Sequence, residues 1–79
     1  MNPRVLSAEY KGAYQLLLTF TNKEVRKFDF SSYLHYPVYE PLKDDFFCQK
    51  VKATNGIVQW DEIIDFDPDI VYLESKSAY

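Results

Sequence analysis

Residues 13–30 read AYQLLLTFTNKEVRKFDF, and this stretch decides the fold. Tyr14, Leu16, Leu18 and Phe20 fall on one side of an extended chain; Ala13, Gln15, Leu17 and Thr19 fall on the other. Side chains alternate across a strand, so the pattern is a half-buried strand with one strongly apolar face. Leu17 breaks the alternation and predicts some cover on the second face. Thr21-Asn22-Lys23-Glu24 is the turn. Asn accepts positive φ, but Lys23 stands where Gly would be easier, so the turn is either strained or longer than two residues. In the returning arm, Glu24 to Phe30, Phe28 and Phe30 share a face and Val25 is out of phase. A β-bulge near Arg26-Lys27 would bring Val25 back to the apolar side; without one Val25 is exposed.

Outward from this hairpin, Arg4 to Tyr10 predicts a first strand with Leu6, Ala8 and Tyr10 on one face. Lys11-Gly12 turns it into the hairpin, which makes a three-stranded antiparallel meander. Ser31 is placed to cap a single helical turn through Leu34. Pro37 and Pro41 make residues 33–41 irregular. Asp44 or Asp45 can cap a short helix to about Lys50. A second hairpin follows around Asn55-Gly56, the strongest turn signal in the chain, with arms Lys50–Ala53 and Ile57–Trp60. Residues 61–66 read as a connector anchored by Ile63, Ile64 and Phe66. Asp67-Pro68-Asp69 starts a last helix to about Glu74, packed through Ile70, Val71 and Leu73: a cap, a proline at the first helical position and an acid in the first turn. The expected fold is α+β, a three-stranded meander plus a short second hairpin, with two short helices packed on the sheet. Residues 1–79 form one domain, with 75–79 as a frayed tail.

A chain of 79 residues buries only about two-thirds of its unfolded surface and is marginally stable. Its 18% aromatic content offsets this, because each ring buries a large area. A lone Cys48 excludes an intrachain disulfide and a four-Cys zinc site, and it favours a reducing, cytoplasmic setting. No run of about 18 apolar residues exists, so no membrane span is expected. Arg4 is followed by too short an apolar stretch for a signal peptide. The net charge of −3 argues against direct nucleic-acid binding, which needs clustered Lys and Arg. That charge is uneven: residues 1–60 carry +2 and residues 61–79 carry −5.

Candidate chemistry is sparse. His35 is the only histidine and has no partner for catalysis or metal binding. Cys48, beside Phe46 and Phe47, reads as a buried, inert thiol. Asp65, Asp67 and Asp69 mimic the start of a calcium loop, but Ile70 stands where that loop requires Gly and Lys76 where it requires Glu. Two glycines cannot make a phosphate-binding loop. No metal, cofactor or catalytic residue is therefore expected. Tyr33, Tyr36 and Tyr39 recur every three residues. They either form a contact surface for a partner or lid the open end of the sheet, and so small a chain needs its rings for burial.

In order and spacing the chain resembles a family of small bacterial domains of unknown function, number 2442 in that series, from Pro3 to Tyr72. The marks are Leu17-Leu18-Thr19-Phe20 with Asn22, Glu24-Val25-Arg26 and Phe28-Asp29-Phe30. They continue with Pro41-Leu42-Lys43-Asp44 and Phe46-Phe47, then Ile57-Val58-Gln59-Trp60 and Asp65-Phe66-Asp67-Pro68-Asp69. Lys23 departs from the Gly common at that point. The resemblance implies a compact α+β domain, no established enzyme activity and no cofactor. Some such relatives look like the antitoxin side of a two-protein pair, and some carry an added helix-turn-helix.

The expected function is a non-catalytic module that binds another small protein, as the antitoxin-like half of such a pair. Asp61, Glu62, Asp65 and Asp69 would steer a basic partner, and Tyr33, Tyr36 and Tyr39 would supply contact area. The alternative is a small enzyme or ligand-binding domain with a pocket around His35, Cys48 and Trp60. Self-association through a sheet edge, giving a homodimer, is a third expectation.

Overall fold

The computed structural model describes residues 2–61 and 63–78. Strands β1 (Val5–Tyr10), β2 (Gln15–Phe20) and β3 (Val25–Asp29) form the expected antiparallel meander. Leu16, Leu18 and Phe20 have no exposed surface. Burying three such side chains is worth about 1.5–3 kcal/mol each against leaving them in water. The β2–β3 register runs unbroken from Gln15↔Asp29 to Thr19↔Val25, so no bulge interrupts β3. Val25 instead stands half-buried opposite Thr19, on the sheet's second face. The irregularity lies in β1, where the register shifts between Val5 and Ser7. It turns Leu6 out to 59% exposure and leaves Val5 in the core, contrary to the inward Leu6 of the simple alternation.

The two turns of the meander use left-handed backbone. Gly12, Ala13 and Tyr14 take φ of 87°, 52° and 60°, so β2 starts only at Gln15. The Tyr14 ring still packs edge-on against Phe30, 5.9 Å between centroids. At the second turn the Lys23 N–H donates to the Phe20 carbonyl and the Phe20 N–H to the Glu24 carbonyl, both at 2.9 Å. The loop is therefore Thr21-Asn22-Lys23, longer than two residues, and its last residue, Lys23, carries φ 72°.

Residues that precede the first helix form two 3-10 segments, Ser31–Tyr33 and Pro37–Lys43. Ser31 does not cap with its side chain; the Asp29 carboxylate accepts the Ser31 N–H at 2.9 Å instead. Helix α1 (Asp45–Cys48) is capped by Asp44, which accepts the Phe46 N–H. Strands β4 (Lys52–Thr54) and β5 (Ile57–Gln59) form the second hairpin. Asn55 and Gly56 turn it with φ of 53° and 83°, as an Asn-Gly turn requires. The Gly56 carbonyl accepts the Val5 N–H, and a Cβ on Gly56 would lie 2.8 Å from Arg4 Cδ. This turn is thereby pressed onto the start of β1.

The stretch expected as a connector adds a third strand, β6 (Asp65–Phe66), on β5. The Asp61 carboxylate accepts the N–H groups of Ile63 and Ile64, and the Trp60 N–H donates to the Ile64 carbonyl. That tight reversal folds Asp65-Phe66 back along β5. Ile64 and Phe66 are buried, whereas Ile63 is 76% exposed. Helix α2 (Pro68–Glu74) begins at the Asp67 cap. Val71 is its buried side chain; Ile70 and Leu73, expected to pack, face outward.

The chain end is not frayed through residue 78. Strand β7 (Lys76–Ser77) pairs with β3 and widens the first sheet to the order β1-β2-β3-β7. Ser75 is the reason. It is buried, its hydroxyl accepts from Arg26 Nε at 2.7 Å and donates to the Tyr72 carbonyl, and its own carbonyl accepts from Arg26 Nη2. Arg26 also lies 4.6 Å over the Tyr72 ring. A buried polar group must be satisfied, and these bonds hold the strand where it can pair. Tyr79 of the predicted tail lies outside the described residues.

The core fills the space between the first sheet, the second sheet and the helices. Phe66 is its hub, with ring centroids of Phe28, Phe30, Trp60 and Tyr39 at 5.3, 6.5, 5.8 and 4.8 Å.

Candidate functional site

The tyrosine triplet lies where the 3-10 segments meet β6 and α2. Tyr39 stacks on Phe66 with 16° between ring planes, and its hydroxyl donates to the Asp65 carbonyl. Tyr33 packs edge-on to both Phe66 and Tyr39, and its hydroxyl donates to the Glu74 carboxylate at 2.5 Å. Burial first, and the Glu74 carboxylate second, push the Tyr33 phenol up to about 12. Burial and the nearby Asp65 charge raise that of Tyr39 as well. Tyr36 packs on both rings but remains 47% exposed. Two of the three tyrosines thus close the sheet as a lid, and the third presents a surface.

Helix α2 continues that surface. Its outward positions are Asp69, Ile70, Leu73 and Glu74, spaced three and four apart on one face. Leu73 is 69% exposed and Ile70 43%. Glu74, next to Ile70 across one turn, accepts the Tyr33 hydroxyl, which ties the end of α2 to the tyrosines. Val38 is exposed on the 3-10 segment that carries Tyr39. Asp65 joins through Tyr39, and Asp69 stands at the far end beside Arg4, with which it lines a shallow depression. Asp61 is spent as the acceptor of its own loop and is not brought to the tyrosines by any contact. Glu62 lies outside the described residues.

Sequence reasoning missed Val38, Ile70, Leu73 and Glu74. The sequence assigns Ile70 and Leu73 to packing, yet a seven-residue helix capped on a sheet buries one narrow stripe, here Val71 with Tyr72 beside it. A helical wheel that places Val71 inward would have turned Ile70 and Leu73 out.

The alternative trio is not a site of this shape. His35 is exposed and lies against Tyr36, 4.1 Å between ring centroids. Cys48 and Trp60 are buried in the core. The Cys48 thiol donates to the Leu42 carbonyl at 3.0 Å, and Trp60 Nε1 donates to the Cys48 carbonyl at 3.0 Å. Burial raises the thiol above its ordinary value, the opposite of an activated cysteine. The surface depressions, of about 270–380 Å³, are lined by other residues. Among the described residues no three His, Cys, Asp or Glu side chains are grouped to hold a metal ion. Asp65, Asp67 and Asp69 occupy a strand, a cap and a helix rather than one loop.

The free edges are blunted. The first sheet ends in β1, which carries the bulge at Leu6, and in β7, which is two residues long. Bulges and short edge strands are devices that discourage strand pairing between molecules.

A family model described as "Protein of unknown function (DUF2442)" matches residues 5–77. The chain belongs to that family. No curated protein and no solved structure matches it. The DUF2442 span starts at the first residue of β1 and ends at the last of β7. The strand that closes the sheet is therefore inside the family domain rather than an appendage. Among the described residues no helix is long and apolar enough to cross a membrane.

Proposed function

We propose that this DUF2442 chain is a non-catalytic protein-binding module of the cytoplasm that docks a small basic protein. The surface is the patch built by Tyr36, Val38, Ile70 and Leu73 with Asp65, Asp69 and Glu74 among them. The observation that carries the reading is apolar exposure on two acidic segments, with Arg4 beside Asp69 and Lys76 beside Glu74 at the rim. Large apolar side chains stand out on segments 31–42 and 61–75, which together contain no Lys or Arg. Exposed apolar side chains set among polar and charged ones are what protein interfaces present. The acids would speed encounter with a basic surface, and the apolar residues would hold it. The likeness to antitoxin-side relatives makes the small protein encoded beside this one the first partner to test.

The test is co-purification of the tagged chain with that neighbour at low and high salt, beside an Ile70→Lys/Leu73→Lys variant. Capture at low salt, weaker at high salt and reduced about tenfold or more in the variant, is expected for loss of anchor residues. Absence of capture at either salt overturns the pairing.

A further inference from the structure

Helix α2 and strand β7 are held to the molecule differently from every other element. Their apolar anchoring is slight. Val71 is the fully buried side chain of α2, and Tyr72 meets the Phe20 ring edge-on at 5.1 Å. Ile70 and Leu73 face outward, and both residues of β7 are exposed. The polar fastenings converge on one guanidinium. Arg26 Nε and Nη2 donate to the Ser75 hydroxyl and carbonyl, each at 2.7 Å. Arg26 Nη1 faces Glu24 at 3.6 Å, and Glu24 accepts the Tyr72 hydroxyl. The same guanidinium lies over the Tyr72 ring.

The other end of this segment has a natural joint. Phe66 is buried and paired in β6. Asp67, the next residue, is extended and caps α2 by accepting the Asp69 N–H at 2.8 Å, so the cap belongs to the helix and not to the sheet. A seven-residue helix has no stability of its own in water. Once its latch is lost it unravels, which makes detachment all-or-none. Uncovering Val71 and the Phe20 ring keeps the detached form a minority.

From this arrangement we propose that residues 67–78 are a strap that opens as one unit from the β6–α2 junction while both sheets stay folded, with Arg26 as its latch. Local opening of this kind is drawn from segments with few buried apolar contacts. The strap carries Ile70 and Leu73, whereas Tyr36 and Val38 stay with the body of the protein. Opening therefore takes the docking surface apart, and the latch sets the fraction of molecules competent to bind; apparent affinity falls by that fraction. This consequence rests on the docking reading above. The opening does not.

The experiment is native-state hydrogen exchange of the full chain, followed amide by amide. The Val71 and Ser75 N–H groups, bonded to the Asp67 and Val71 carbonyls, report the helix, and the Ala78 N–H, bonded to the Val25 carbonyl, reports β7. Leu18 and Phe20 report the central strand. Val71 and Ser75 should share one protection level about tenfold or more below that of Leu18 and Phe20, with Ala78 no higher. Low urea should barely change it, since opening exposes little surface. Leu16→Val lies four residues along β2 from Phe20, and should lower the protection of Leu18 and Phe20 alone. Arg26→Lys keeps the charge but loses the planar fork. It should lower all five by one common factor, about tenfold or more, because the latch is missing from the open and the fully unfolded chain alike. A single protection level for all five amides overturns the proposal, as does loss of strap protection in Leu16→Val or unchanged strap protection in Arg26→Lys. No partner is needed, so failure here is distinct from failure of the docking reading.

Discussion

Leu17 and Leu18 are neighbours in sequence with opposite lives. Leu18 points into a core whose opposite wall is a cluster of aromatic rings, and it has no exposed surface. Leu17 points to the back of the same sheet, among Lys27, Gln15 and Thr19, and is half-buried. The contrast repeats in β3, where Phe28 is buried and Lys27 is exposed. A chain this short has rings enough to roof one side of a sheet and leaves the other side to short and charged side chains. The roofed side acquires a surface of helices and tyrosines; the other side carries half-buried Leu17, Thr19 and Val25 beside Lys27.

The largest expected effect breaks or upholds that contrast directly. Leu18→Ala should cost about 3–4 kcal/mol, the lost transfer energy plus a cavity that close-packed rings cannot collapse into. Leu17→Ala should cost under about 1 kcal/mol, as surface substitutions do. Urea denaturation of both variants measures this as a shift in midpoint at constant slope. Equal costs would mean that the back of the sheet is covered.

The roofed side was legible in the sequence because a period of two is a physical signature. Leu16, Leu18 and Phe20 could not alternate with Gln15 and Thr19 for any other cheap reason. Asp67-Pro68 and Asn55-Gly56 announced their cap and turn through groups that the backbone there requires. What escaped depended on contacts distant in sequence. Strand β7 exists because Arg26, 49 residues away, finds Ser75; no local pattern in Lys76-Ser77 encodes it. Strand β6 rests on Asp61 accepting two N–H groups in a loop that reads only as acidic. The inward and outward faces of α2 were misjudged because a seven-residue helix offers too few turns for its apolar stripe to show. Of the proposed surface, the tyrosines, Asp65 and Asp69 stand out in the sequence by residue type and spacing. Ile70 and Leu73 were hidden by the habit of assigning apolar residues to cores.

The roofed side should also respond to alkali. Tyr33 is held protonated by burial and by the Glu74 carboxylate, and its pKa is raised from 10.0 to about 12. A raised folded-state value contributes stability that is complete below pH 10 and lost as pH climbs toward 12. Because the phenol is partly open to water, the contribution is about 1 kcal/mol, discounted from the full shift. Tyr33→Phe should therefore lower stability by about that amount at pH 7. It should also flatten the decline between pH 10 and 12, leaving the share due to Tyr10, whose value is likewise pushed up to about 12 by burial and by Asp45. Parallel pH curves for wild type and Tyr33→Phe would remove Tyr33 from the roof's support.

The smallest effect concerns the turn that both sides share. Lys23 occupies the left-handed region at φ 72°, which costs a side-chain-bearing residue about 1–2 kcal/mol relative to Gly. Gly returns about 0.5–1 kcal/mol of that through the greater freedom of the unfolded chain. Lys23→Gly should therefore stabilise the protein by about 0.5 kcal/mol. Among the described residues the Lys23 side chain makes no hydrogen bond or ion pair that would be forfeited, since the bonds of this loop run through its backbone N–H and through Asn22 and Glu24. The change also spares the roof. Glu24, the next residue, accepts the Tyr72 hydroxyl at 2.5 Å and thereby fastens α2 to the hairpin, and its carboxyl is held below its ordinary value chiefly by that bond. If Gly relaxed the loop into a two-residue turn, Glu24 would shift and the gain would vanish, because the clamp on α2 would loosen as the strain was relieved. A thermal melt that rises while Tyr72→Phe keeps its destabilising effect in the Lys23→Gly background would show that the loop kept its shape and shed only its strain. An unchanged melt, with the Tyr72→Phe effect erased, would show that the turn and the roof are one unit.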